Sequence, residues 1–161
     1  KLLANEHYGK RPNICTLAKG LAGGLPMGAT MFAERVQDIL PPSSHGSTFG
    51  GNPVCCAGAY NVISRIDDKL LSDVRRKSEY IFNELKDADG VKSVSGMGLM
   101  IGLETEKDAK EVVAKCREMG VLVLTAKTKV RLLPALNIPM EQLKKSVKKL
   151  LPAEYSELQN Q

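Results

Sequence analysis

Asn13-Ile14-Cys15-Thr16-Leu17-Ala18 runs directly into Lys19-Gly20-Leu21-Ala22-Gly23-Gly24-Leu25-Pro26, and a second apolar run follows from Met27 to Ala33. The two runs read as short strands, the first mostly buried, joined by a loop with three glycines and a proline. Lys19 stands where the strand meets the loop. An amine held in an apolar pocket loses its proton more readily, because desolvation disfavours the ammonium. A neutral amine attacks carbonyls and forms a Schiff base. A solvated loop lysine is the other reading of the same residue. A phosphate-binding loop is excluded, because Lys19 precedes the glycines and no Ser or Thr follows it.

Downstream, Glu34 to Leu40 reads as one or two helical turns closed by Pro41-Pro42. A polar loop then leads through His45-Gly46-Ser47-Thr48-Phe49-Gly50-Gly51-Asn52 into Pro53. Asn52 is a suitable N-cap and Pro53 suits the first helical position, where a missing N–H costs nothing. Hydroxyls beside unpaired N–H groups at a helix start favour an anion, although Ser47 and Thr48 could equally just shape the turn. The helix expected from Val54 to Ile66 is small and apolar almost all round, which predicts burial.

Asp67-Asp68 caps a further helix or marks a bend. Leu70, Leu71, Val74, Ile81, Phe82 and Leu85 share one helical face, and Arg75, Arg76, Lys77 and Glu79 cover the other. From Val91 the expected order is strand (91–94), strand (99–103), helix (107–119), strand (121–124), strand (130–133), helix (140–151). Thr105 is the expected N-cap of the first of these helices and Gly120 its C-terminal stop. This order describes a small α+β layer on a mostly antiparallel sheet. Arg131 lies among apolar neighbours in Val130-Arg131-Leu132-Leu133-Pro134. A guanidinium there needs an anion: a bidentate substrate carboxylate, or an internal salt bridge.

The remaining composition narrows the classes. In 161 residues, 23 Lys+Arg against 18 Asp+Glu give a net charge of +5, spread along the chain rather than gathered in an arm, so nucleic-acid binding has little support. Nothing approaches the apolar length of a membrane helix or a signal peptide. The chain lacks an initiator Met, which predicts a start within a longer protein or after processing. Four cysteines without a CxxC pair, and only two histidines, argue against zinc or a disulfide framework and predict a cytoplasmic protein with no metal site.

Thr16-Leu17-Ala18-Lys19-Gly20-Leu21, with Gly23-Gly24-Leu25-Pro26-Met27-Gly28-Ala29, resembles the lysine segment of class III pyridoxal-phosphate aminotransferases. His45 to Pro53 resembles their second signature, and residues 121–125 and 130–134 their C-terminal segment. Within the class, Phe49 and the Val121-Leu122-Val123-Leu124-Thr125 run favour the branch acting on N-acetylornithine over those acting on ornithine or 4-aminobutyrate. The resemblance covers nearly the whole chain. It implies an α/β fold, as a fragment of a fold-type I pyridoxal-phosphate transferase. Residues 1–66 would be the C-terminal remnant of the large cofactor-binding domain, and residues 67–161 a small α+β C-terminal domain.

The resemblance also implies roles. Lys19 is the Schiff-base lysine and proton shuttle. Thr48 binds the cofactor phosphate of the other subunit of a homodimer. Ser47 is a substrate contact from the same crossing loop, and Arg131 pairs with the α-carboxylate of glutamate or 2-oxoglutarate. The implied reaction moves the terminal amino group of N-acetylornithine to 2-oxoglutarate, a step of arginine biosynthesis. Family members are much longer, and the chain begins just beyond their Asp-Glu cofactor strand. It is therefore expected to be inactive alone and to expose apolar surface from residues 1–66. A non-enzymatic interaction domain derived from such an enzyme is the alternative. Ala135 stands where a second proline is expected after Pro134, and Lys127 to Lys129 is more basic than the family pattern.

Overall fold

A computed structural model describes residues 1–155, with side chains described through Leu150. The end of the expected C-terminal domain, residues 156–161, lies outside the described residues. The chain divides into two compact units, Lys1–Leu71 and Ser72–Gln161.

In the first unit, β1 (Ile14–Leu17) and β2 (Ala29–Phe32) form an antiparallel ribbon, with Ile14 opposite Phe32 and Leu17 opposite Ala29. Short 3-10 turns occupy Ala4–Tyr8, Lys19–Leu21 and Glu34–Ile39. Helix α1 (Pro53–Ile63) begins with Pro53 in its first turn, and Asn52 Oδ1 accepts the N–H groups of Val54 at 3.0 Å and Cys55 at 3.2 Å. The cap is the one expected, but the helix stops three residues short of Ile66.

The expected burial of this region is overturned. No residue of β1 is buried, and α1 buries only Ala59. A two-stranded ribbon and one helix offer too little surface to enclose each other's side chains. Ile14, Met31, Phe32, Val54 and Tyr60 are all exposed, in keeping with the expected apolar surface.

Helix α2 (Asp68–Leu85) starts where Asp67 Oδ1 accepts the Leu70 N–H at 2.7 Å. The divide between the units falls within its first turn. The second unit then runs β3 (Val91–Met97), β4 (Met100–Thr105), α3 (Ala109–Glu118), β5 (Leu124–Ala126), β6 (Lys129–Leu132) and α4 (Met140–Tyr155). The sheet is antiparallel throughout, in the order β3-β4-β6-β5. Alternation sends Ile101, Leu103, Val130 and Leu132 to one face. There they pack with Ile81 and Leu85 of α2, Val112 and Cys116 of α3, and Leu143 and Val147 of α4. The opposite face carries Ser93, Ser95, Glu104, Lys129 and Arg131 by the same alternation.

Four local expectations are corrected. Residues 95–97 are not a loop: β3 continues to Met97, and Gly98-Leu99 alone makes the turn, with Gly98 at φ +58°. The α3 cap is Asp108, whose Oδ1 accepts the Lys110 N–H at 2.8 Å, while Thr105 ends β4 and donates to the Lys107 carbonyl at 2.9 Å. Residues 121–123 are not a strand, although Val121 and Val123 are buried. Continuing the β5–β6 register would set Val121 against Pro134, which has no N–H to donate.

Lys77, expected on the solvent side of α2, is 1% exposed. Its ammonium pairs with Asp73 and donates to the Leu136 carbonyl at 2.9 Å. The Lys77 hydrogen bond and then the Arg76 guanidinium hold the Asp73 carboxyl below the usual carboxylate range.

Candidate functional site

The candidate residues fall into two groups, one in each unit. In the first, Lys19 lies one residue beyond the end of β1, after Ala18, and has a left-handed backbone at φ +62°. A non-glycine residue there costs about 1 kcal/mol or more, and such strain persists where the surroundings enforce it, often at functional positions. The side chain is exposed. The loop after it is seated on α1 by close approach. A Cβ added at Gly58 would come within 2.9 Å of the Ala22 carbonyl oxygen, and one at Gly23 within 3.2 Å of Val62 Cγ2. Only a helix with small residues on that face admits a loop so close. This explains Ala57-Gly58-Ala59 better than the all-round burial expected from the sequence. Cys55 adds a weak Sγ contact to the Pro26 carbonyl at 3.6 Å.

The same helix holds the second loop. Ser47 to Gly50 makes a turn, closed by the Gly50 N–H donating to the Ser47 carbonyl at 3.1 Å, and Asn52 follows as the cap. Lys19 and the Ser47-Thr48 pair are therefore both placed by α1, one loop seated on its small-residue face and the other leading into its N-terminus. The expected anion site at the helix start is modified in one respect. Asn52 already occupies the Val54 and Cys55 N–H groups, so those donors are taken. The Ser47 and Thr48 side chains are exposed and make no hydrogen bond among the described residues.

In the second unit, Arg131 sits on β6 between Gly102 of β4 and Leu124 of β5. Its Nε is buried and has no hydrogen-bond partner. Among the described residues Arg131 also has no ion-pair partner, so the internal salt bridge considered from sequence is absent there. A buried, directional N–H without an acceptor is costly, and an incoming carboxylate or phosphate would satisfy it.

Comparison with known proteins identifies the family. The sequence profile of the family described as Aminotransferase class-III matches residues 1–153. The chain belongs to that family. It is 47% identical over 148 residues to an acetylornithine aminotransferase of Haemophilus ducreyi, covering 91% of this chain and 38% of that protein. Among solved structures, an ornithine aminotransferase from Toxoplasma gondii ME49 superposes with a TM-score of 0.87 at 32% identity, over 95% of this chain and 39% of that one. An acetylornithine aminotransferase from Elizabethkingia anophelis gives 0.86 at 30% identity, over 96% and 41%. The chain thus spans about two fifths of the length of these relatives, and its mixed helix and sheet is part of their fold.

Class-III membership brings pyridoxal phosphate as the cofactor. The chemistry of the first unit's residues fits it: a primary amine on a strained turn and two exposed hydroxyls ahead of a helix. Among the described residues no cluster of His, Cys, Asp and Glu could hold a metal ion, and no helix is long and apolar enough to cross a membrane.

Sequence reasoning missed two features. Gly58 is the seat of the lysine loop, and nothing in composition separates it from a merely buried small residue. Lys129 stands two residues before Arg131 and so shares its face. That alternation was readable in the sequence.

Proposed function

We propose that this chain supplies the reactive lysine and an anion clamp to an aminotransferase that moves the terminal amino group of N-acetylornithine to 2-oxoglutarate, as in arginine biosynthesis in the cytoplasm. Residues 1–66 belong in this reading to a large cofactor-binding domain, and residues 67–161 form the small C-terminal domain. Pyridoxal phosphate, when bound, supplies the electron sink for the exchange. Lys19 Nζ would hold the cofactor through its aldehyde and, as a free amine, would serve as the base that carries the proton. The Thr48 hydroxyl would help to hold the cofactor phosphate of the other subunit of a homodimer, and Ser47 would touch substrate. Arg131 grips the α-carboxylate of glutamate or 2-oxoglutarate. The 161 residues alone are inactive in this reading, because much of a domain that would hold the cofactor lies outside them.

The orphaned Nε of Arg131 is the observation that carries the proposal, since a structural arginine would have its own acceptor. In the complete enzyme, Arg131→Ala should raise the KM for 2-oxoglutarate about ten- to a hundredfold, as expected for losing charged hydrogen bonds, with the cofactor's visible absorption unchanged. An unchanged KM would remove Arg131 from the role. The structural likeness to the Toxoplasma ornithine aminotransferase favours a second donor, ornithine. Rates on acetylornithine and ornithine, compared directly, decide between them.

A further inference from the structure

Among the described residues, Lys77 is the one charged side chain that is buried, and the reaction proposed above makes no use of it. Its place on α2, between Val74 and Ile81, is a core position. A methionine or leucine would fill it without the cost of desolvating an ammonium. What an apolar side chain lacks is a donor. Lys77 Nζ donates across to the Leu136 carbonyl at 2.9 Å, and Asp73 pairs with the ammonium from the preceding turn.

Leu136 lies on the chain that leaves β6. Arg131 is the last residue of β6 paired with β5, and Leu132 the last paired with β4. Beyond them Leu133, Ala135, Leu136 and Asn137 are exposed, and Pro134 has no N–H to give. Ile138 returns to the core, its N–H closing a local turn on the Ala135 carbonyl at 3.0 Å. Among the described residues, the Lys77 bond is the one hydrogen bond that ties residues 134–137 to another element. Packing leaves this exit room to move: Leu132, Leu133 and Pro134 border an apolar cavity of about 200 Å³, with Val121, Val123 and Leu143 on its other walls. Arg131 thus stands at the end of its ladder, just before a stretch with a single tether.

We propose that Lys77 is a positioning residue for Arg131: by pinning the Leu136 carbonyl to α2 it fixes the exit of β6, and with it the direction in which the Arg131 guanidinium meets a substrate carboxylate. The proposal rests on Arg131 being the 2-oxoglutarate clamp and deepens that reading. Without the Lys77 donor, the Leu136 carbonyl turns toward water and the exit relaxes toward the cavity. The guanidinium then holds its productive orientation for a smaller share of the time. A directional charged contact weakens steeply with such misplacement, whereas groups held elsewhere do not sense it.

The test is steady-state kinetics of the complete enzyme. Lys77→Met keeps the stem and removes the donor. It should raise the KM for 2-oxoglutarate about three- to tenfold, less than Arg131→Ala does, while the KM for the amino donor and the cofactor's visible absorption stay as they were. Lys77→Arg, which keeps a charged donor, should restore most of the loss. In an Arg131→Ala background, Lys77→Met should change the KM no further, because its effect runs through the guanidinium. Val74→Ala loosens the same face of α2 without touching the tether and should leave the KM alone. If Lys77→Met fails to fold, Lys77→Gln, one atom shorter than lysine, is read in its place. A KM that the substitution at Lys77 leaves unchanged, that Val74→Ala raises equally, or that rises further in the Arg131→Ala background overturns the inference while leaving Arg131 as the clamp. If Arg131→Ala itself leaves the KM unchanged, the clamp and the inference fall together.

Discussion

Ile81, Ile101, Cys116 and Val130 are fully buried in the second unit, whereas Ala22 and Ala59 are the buried apolar residues of the first. Both units carry candidate functional groups, but they hold them differently. Arg131 projects from a strand fixed by pairing on both sides and by a helix-covered core. Lys19 sits on a loop whose placement rests on a few close backbone approaches to α1. The glycines and alanines around Lys19 therefore answer to how near the loop must come to a helix, not to the filling of a core. In the second unit, composition and burial agree, and the role of Arg131 shows as an exception to that agreement: a buried N–H left unsatisfied.

Substitutions should separate the two modes. The largest effect is expected at Gly96, which has φ +138° and where an added Cβ would lie 2.1 Å from the Met100 carbonyl oxygen. Backbone occupies that space and cannot yield cheaply. Gly96→Ala should destabilise the second unit by about 3 kcal/mol or more, read by denaturant unfolding. A loss below about 1 kcal/mol would show that this hairpin is far softer than its geometry.

Lys77→Ala comes next. It leaves the Leu136 carbonyl without its donor, Asp73 without its principal partner, and a gap between Val74 and Ile81. About 2–3 kcal/mol should be lost. Because the Asp73 carboxyl is held below its ordinary value, its contribution is present at neutral pH. It disappears as pH falls from the usual carboxylate range down through the depressed value. Unfolding followed against pH should show this acid limb in the unaltered chain and lose it in Asp73→Asn.

The smallest effect belongs to Gly58→Val, at about 1–2 kcal/mol and local. Amide exchange should quicken at Gly23 and Leu25 while Ile101 and Val130 keep their protection. Equal loss in both units would contradict the separate accounts given for them.

The sequence made the second unit legible because its signals repeat. Val112 and Cys116, or Leu143 and Val147, mark helix faces at fixed spacing, and Val130 and Leu132 mark a strand. Legibility failed where one residue outranked the pattern. Lys77 occupies the slot three residues after Val74 and four before Ile81, so position placed it inside although its charge suggested otherwise. Asp108 displaced Thr105 as cap because β4 runs on to Thr105. In the first unit, the lysine loop and the Ser47-Thr48 loop were recognisable as motifs, and their resemblance to a family located both. Their common dependence on α1 was not readable, because close approach at Gly58 is a property of coordinates.

Reductive trapping in the complete enzyme addresses the central claim most directly. Pyridoxal phosphate-loaded protein is treated with borohydride, digested, and mapped by mass spectrometry. The cofactor should be found fixed to the peptide carrying Lys19, and Lys19→Ala should abolish both the adduct and turnover. An adduct on another lysine, or turnover that persists in Lys19→Ala, would contradict the assignment of Lys19 as the reactive amine.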